Sequence, residues 1–148
     1  MGGNEENPKA KFGKGTRVEV KRDEVGFEGA WFGATIIDRL RNYKYLVEYH
    51  HLVTEDETAK LREEAILSDM RPFPPHTQRI CPFQLLEIVD AWYNDGWWLG
   101  RIVKVKKGLR YTVFFKMGEE LEFEHCELRT HQEWIDGNWI IVSKDWEL

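Results

Sequence analysis

Two cysteines, Cys81 and Cys126, are too few in 148 residues for a disulfide scaffold. They and the five histidines match no zinc-ligand spacing, and His125 and Cys126, neighbours on an expected strand, point to opposite faces. No apolar run reaches the length needed to span a membrane, and no secretory apolar region opens the chain. These absences lead to an expectation of reduced thiols in an intracellular, membrane-free protein. Met1-Gly2 begins like a myristoylation signal, but Glu6 stands where serine or threonine is required. Gly13 and Gly15 lack the spacing and following helix of a phosphate loop, and there is no nucleophile elbow, Walker sequence or H-E-x-x-H. A non-enzyme without cofactor is expected. Positive charge is also in deficit: 21 basic against 26 acidic side chains give a net charge of −5. Non-specific duplex DNA binding requires the opposite balance.

What the chain has is aromatic rings and a repeat. It carries seven Trp, five Tyr and eight Phe. The stretch Gly96-Trp97-Trp98-Leu99-Gly100 matches Gly29-Ala30-Trp31-Phe32-Gly33 at an offset of 67, which aligns both glycine pairs and sets Trp31 on Trp98. An alternating apolar run precedes each copy (Val18-Glu19-Val20; Leu86-Glu87-Ile88), and an aromatic strand follows (Tyr45 to Tyr49; Tyr111 to Phe115). The copies end in Met70-Arg71-Pro72 and Leu128-Arg129-Thr130. Two copies of a small β unit are therefore expected. Units of this size are marginal alone, so the copies are expected to pack as one body.

Alternation and turn residues predict strands over 16–22, 31–40, 43–50 and 61–65 in the first copy. In the second they predict strands over 83–90, 97–106, 109–116 and 120–125. Residues 134–142 read as a turn before a strand that closes the second barrel. Between Thr54 and Glu64 a short helix, with Thr54 and Glu57 as a capping box, competes with a long acidic loop. Pro72, Pro74 and Pro75 mark the junction. The resulting division is a disordered tail over 1–12, a first domain over 13–75, a junction over 76–82, a second domain over 83–142 and a tail over 143–148.

In this order, Val18-Glu19-Val20, Gly29-Ala30-Trp31-Phe32-Gly33-Ala34, Met70-Arg71-Pro72-Phe73-Pro74-Pro75, Asp95-Gly96-Trp97-Trp98-Leu99-Gly100 and Trp134-Ile135-Asp136-Gly137-Asn138-Trp139 resemble a tandem Agenet module. Agenet domains are a plant branch of the Tudor-like, or Royal, group. The resemblance covers about residues 13–141 and implies an all-β fold of two small, strongly bent antiparallel barrels packed as a tandem. It further implies a monomeric nuclear protein on chromatin that reads the methylated histone H3 N-terminal tail, with dimethylated or methylated H3 lysine 9 as the best match.

A methylated ammonium keeps its charge but loses hydrogen-bond donors, so aromatic faces and a nearby carboxylate are its natural receptor. The resemblance places a cage at Phe27, Trp31 and Tyr49, with Glu55 or Asp56 reaching the cation and His50 or His51 alongside. A secondary cage or peptide groove falls on Trp92 or Tyr93, Trp98 and Phe115, where Lys116 is an unwelcome second cation. Glu63, Glu64, Asp69, Asp95 and Glu119 are candidates to hold unmodified basic residues of the peptide. Each ring also has a plainer role as core: Trp31 and Phe32 face opposite ways, as do Trp97 and Trp98, and one of each pair must point inward. Trp134 and Trp139 are expected to close the barrel. Arg101, Lys104, Lys106, Lys107 and Arg110 form a basic stripe that keeps single-stranded RNA as an alternative partner, beside a non-histone protein scaffold.

Overall fold

The computed structural model describes residues 12–22, 24–76 and 79–148. The expected disordered tail, apart from Phe12, lies outside them, as do Asp23 of the first loop and part of the junction. The chain divides into two compact units, Met1–Phe73 and Pro74–Leu148.

The first unit is an antiparallel meander of β1 (Arg17–Lys21), β2 (Ala30–Arg39), β3 (Lys44–Val53) and β4 (Lys60–Ile66). A single 3-10 turn over Leu67–Asp69 then returns the chain as β5 (Met70–Pro72) along the free side of β1. Period-two alternation decides the faces. Ala30, Phe32, Ala34 and Ile36 of β2 and Tyr45, Val47 and Tyr49 of β3 are buried, while Trp31, Gly33 and Thr35 lie on the other side. A register shift between Ile36 and Asp38 marks a bulge in β2, the usual device for bending a small sheet. Phe12 caps the core edge-on to Tyr45 at 6.1 Å. No helix forms between Thr54 and Glu64. The β3–β4 ribbon instead runs out to Val53 and back from Lys60, and Asp56 ties the loop by accepting from the Thr54 hydroxyl at 2.7 Å and the Thr58 hydroxyl at 2.8 Å.

The second unit repeats this plan with β6 (Ile88–Tyr93), β7 (Gly96–Lys106), β8 (Arg110–Phe115), β9 (Glu120–Glu124) and β10 (Leu128–Thr130), again with a 3-10 turn before the last strand. Asn94 and Asp95, with φ of 46° and 64°, make the two-residue β6–β7 turn that fits strand twist. The first strand starts later than the expected 83–90: Phe83 is a core plug, 5.5 Å from Tyr111, just as Phe12 plugs the first unit. The expected closing strand is also corrected. β10 takes that place beside β6, and β11 (Gln132–Ile135) and β12 (Asn138–Ile141) form a separate hairpin through Asp136-Gly137. Trp134 and Trp139 are directly cross-strand in that hairpin, 5.1 Å apart. Both units are strongly bent, antiparallel and Tudor-like, and among the described residues no helix is long and apolar enough to cross a membrane.

The repeat itself needs one correction. Ala34 pairs with Tyr49 and Gly100 with Phe115, and the bulges fall at Ile36/Asp38 and Ile102/Lys104, so β2–β3 superposes on β7–β8 at an offset of 66. Trp31 therefore corresponds to Trp97, Phe32 to Trp98, and Ala34 to Gly100. The offset of 67 matched glycines by identity, but a one-residue slip turns every side chain to the wrong face.

Candidate functional site

The structure separates the expected first cage into two faces of β2. Phe27, from the β1–β2 loop, meets Phe32 edge-on at 5.7 Å, and Phe32 and Tyr49 are buried on the inner face. Trp31 lies on the opposite face beneath Arg71, whose guanidinium carbon is 3.9 Å from the ring centroid. Phe27 and Tyr49 are brought together, and Trp31 is not. The carboxylate that reaches them is Glu63, not the expected Glu55 or Asp56: Asp56 is engaged inside its own loop and Glu55 is exposed there. His50 bonds to the Thr35 hydroxyl at 2.8 Å on the far side of β3, and burial followed by its neighbour His51 holds its pKa below the usual value.

A cation already sits at this cluster. The Arg22 guanidinium carbon lies 5.5 Å from the Phe27 centroid and 5.3 Å from that of Tyr49, within cation–π range of both. Arg22 donates to Glu63 at 2.9 Å and to Glu24 at 2.7 Å. Burial opposes its charge, but the two carboxylates outweigh burial and raise its pKa. Burial, then Glu63, pushes the Tyr49 hydroxyl up to about 12.

In the second unit, register places Ala91 where Val20 stands, so Tyr93 occupies the position of Arg22. Tyr93 is 6.2 Å from Trp98, 6.3 Å from Phe115 and 6.4 Å from Phe123. Three of the expected secondary-cage residues thus meet, and Phe123 joins them. Trp92 does not: it packs on Trp97 at 5.2 Å on the other face. Tyr93 is half-buried and the other three rings are buried. The Tyr93–Phe115 contact brings the turns carrying Asp95 and Glu119 to one end of the unit, where both carboxylates are exposed. Lys116, next along from Phe115, is exposed in the β8–β9 turn. Of the remaining candidate acids, Glu64 lies 3.9 Å from Lys44 and Asp69 4.0 Å from Lys21.

A buried ionic motif shared by both units escaped the sequence reading. Glu19 accepts two bonds from Arg71, at 2.8 and 3.0 Å, with both residues at most 2% exposed. Asp90 likewise accepts from Arg129 at 2.9 Å, and Arg129 covers Trp97 at 4.3 Å as Arg71 covers Trp31. The recurring Met70-Arg71 and Leu128-Arg129, each opposite an acid inside an apolar strand, were the available signal. Asp90 also holds His131 at 2.6 Å, and His131 contacts Glu133 and stacks on Trp146. Among the described residues no group of three or more His, Cys, Asp or Glu could hold a metal ion.

The fold of each unit, five short antiparallel strands with a bulged second strand and aromatic rings at the loop end, defines a Tudor-like module. The Agenet domain family matches residues 15–75. The crystal structure of Arabidopsis thaliana AGDP1 AGD34 superposes with a TM-score of 0.85 at 35% identity, over 93% of this chain and 97% of that one. The crystal structure of the ADCP1 tandem Agenet domain 3-4 gives a TM-score of 0.82 at 33% identity, over 93% and 92%. The chain belongs to the Agenet family and is a tandem Agenet domain. Among curated proteins it is similar to Protein AGENET DOMAIN (AGD)-CONTAINING P1 of Arabidopsis thaliana, 47% identical over 92% of this chain, and to DUF724 domain-containing protein 3 of the same plant, 38% identical over 88%. It spans only 26% and 20% of the length of those two proteins.

Proposed function

We propose that this tandem Agenet domain is a chromatin reader that captures a methylated lysine of the histone H3 tail in the nucleus, with methylated H3 lysine 9 as the preferred mark. The observation that carries the reading is the pair of aromatic clusters at equivalent loop ends. In one, an organic cation already rests between ring faces and carboxylates; in the other, a fourth ring, Tyr93, replaces that cation. The methylammonium is assigned to the second cluster, with Tyr93 as its accessible wall, Trp98 and Phe115 behind it, and Asp95 and Glu119 on the rim for unmodified basic residues. An acidic chain suits a basic peptide through long-range steering.

RNA fits less well. Arg110 and Lys106 are both paired with Glu122, at 2.9 and 3.5 Å, and Arg101 donates to the carbonyls of Leu86, Lys144 and Trp146. Three of the five stripe residues are therefore engaged within the protein.

Calorimetric titration with H3 tail peptides, unmodified and methylated singly at each commonly modified lysine, tests the reading. One methylated peptide is expected to bind in the micromolar range, and Tyr93→Ala to lose about 2 kcal/mol, roughly 30-fold, of methyl preference. Equal binding of all peptides, or an undiminished preference in Tyr93→Ala, removes the proposal.

A further inference from the structure

We infer that Arg22 is a specificity-determining self-ligand: its guanidinium fills the cation site of the first unit, so that the two copies are not equivalent receptors. The inference deepens the reader assignment, on which it rests only for the identity of the natural ligand.

The first cluster has what an organic cation needs. Two ring faces lie within 5.5 Å of one charged carbon, and two carboxylates lie within 2.9 Å of its nitrogens. A methylated lysine entering there would meet the same rings and the same acids, and two cations cannot share them at that separation. Glu63 and Glu24 together turn Arg22 back onto Phe27 and Tyr49. Arg22 lies just past the end of β1, where an exposed arginine ordinarily extends into water, yet its side chain is only 14% exposed. Glu63, on β4, grips it from across the sheet, 41 residues away in sequence. At the equivalent position Tyr93 supplies a wall in place of a plug. One position, 22 in the first copy and 93 in the second, thereby sets whether a unit is closed by its own cation or lined by a further ring.

The test uses tetramethylammonium as probe and the ring protons of Phe27 and Tyr49 as reporters, by nuclear magnetic resonance on the whole chain. In Arg22→Ala the vacated site is expected to bind the probe saturably, at least tenfold more tightly than wild type at these reporters. A smaller ratio overturns the inference. Arg22→Gln, which keeps most of the stem, is expected to behave in the same way and guards against misfolding of the alanine variant. In the wild-type protein the Arg22 Nε proton is expected to be slow to exchange and shifted by ring currents; a rapidly exchanging, unshifted signal also overturns it. Responses at Tyr93 and Phe115 in the same titration report separately on the second cluster. Silence there in every protein removes the proposed reader site while leaving the result at Arg22 intact.

Discussion

Arg71 carries its charge in a place closed to water, between the Glu19 carboxylate and the face of Trp31. Removing one partner of such a pair strands the other, which typically costs about 3–5 kcal/mol, whereas replacing both by apolar groups of similar volume is often neutral. Glu19→Ala is therefore expected to lower unfolding stability in urea by that amount. The double variant Glu19→Leu with Arg71→Met is expected to recover most of it. At this scale the sequence was legible in type but not in direction. Alternation showed that Trp31 and Phe32 must diverge, yet which one faced inward depended on Arg71, 40 residues away, offering a cationic cover for Trp31. The partner of Phe27 and Tyr49 was likewise hidden, because Arg22 reads as an ordinary charged residue at a strand end.

Among elements, the first four strands of each copy were readable from alternation, whereas the three-residue β5 and β10 that return beside β1 and β6 were too short to show a period. The exact pairing of the longer strands was not readable either. The offset of 67 rested on matched glycines, and the β2 and β7 bulges instead enforce 66, which places Gly100 opposite Phe115. A Cβ on Gly100 would press on Val113 and lie 3.1 Å from the Phe114 carbonyl oxygen. Gly100→Ala is expected to cost about 1–3 kcal/mol by overpacking, measurable as a lower denaturation midpoint. Its counterpart Ala34 already accommodates the methyl group. The β11–β12 hairpin was missed as an independent element because its Trp134 and Trp139, read one at a time, look like core residues; they are in register with each other.

For the molecule as a whole, His131 is the group that makes stability fall as pH rises above neutrality. Burial opposes its charge, but the carboxylates of Asp90 and Glu133 outweigh burial and raise its pKa from 6.5 to about 9. Its contribution is complete below about pH 6.5 and disappears as pH rises through 9, a change of about 3 kcal/mol. Thermal melts are expected to fall over that interval, and His131→Gln to flatten the dependence. Asp90, held below its usual range by His131 and Arg129 against the effect of burial, adds a second loss on acidification through its depressed pKa. The net charge of −5 also predicts that association with an H3 tail peptide slows as salt rises, seen in stopped-flow on-rates between low and physiological ionic strength. A peptide on-rate indifferent to salt contradicts this.

The two tryptophan pairs give the fold an optical signature. Trp134 and Trp139 lie 5.1 Å apart with planes at 49°, and Trp92 and Trp97 lie 5.2 Å apart at 64°. Indole transition dipoles this close and this skewed couple as excitons, so the far-ultraviolet circular dichroism should show a bisignate band over the β-sheet spectrum. Trp134→Phe would remove the hairpin's share and leave that of β6 and β7, allowing the melting of each element to be followed without any added label.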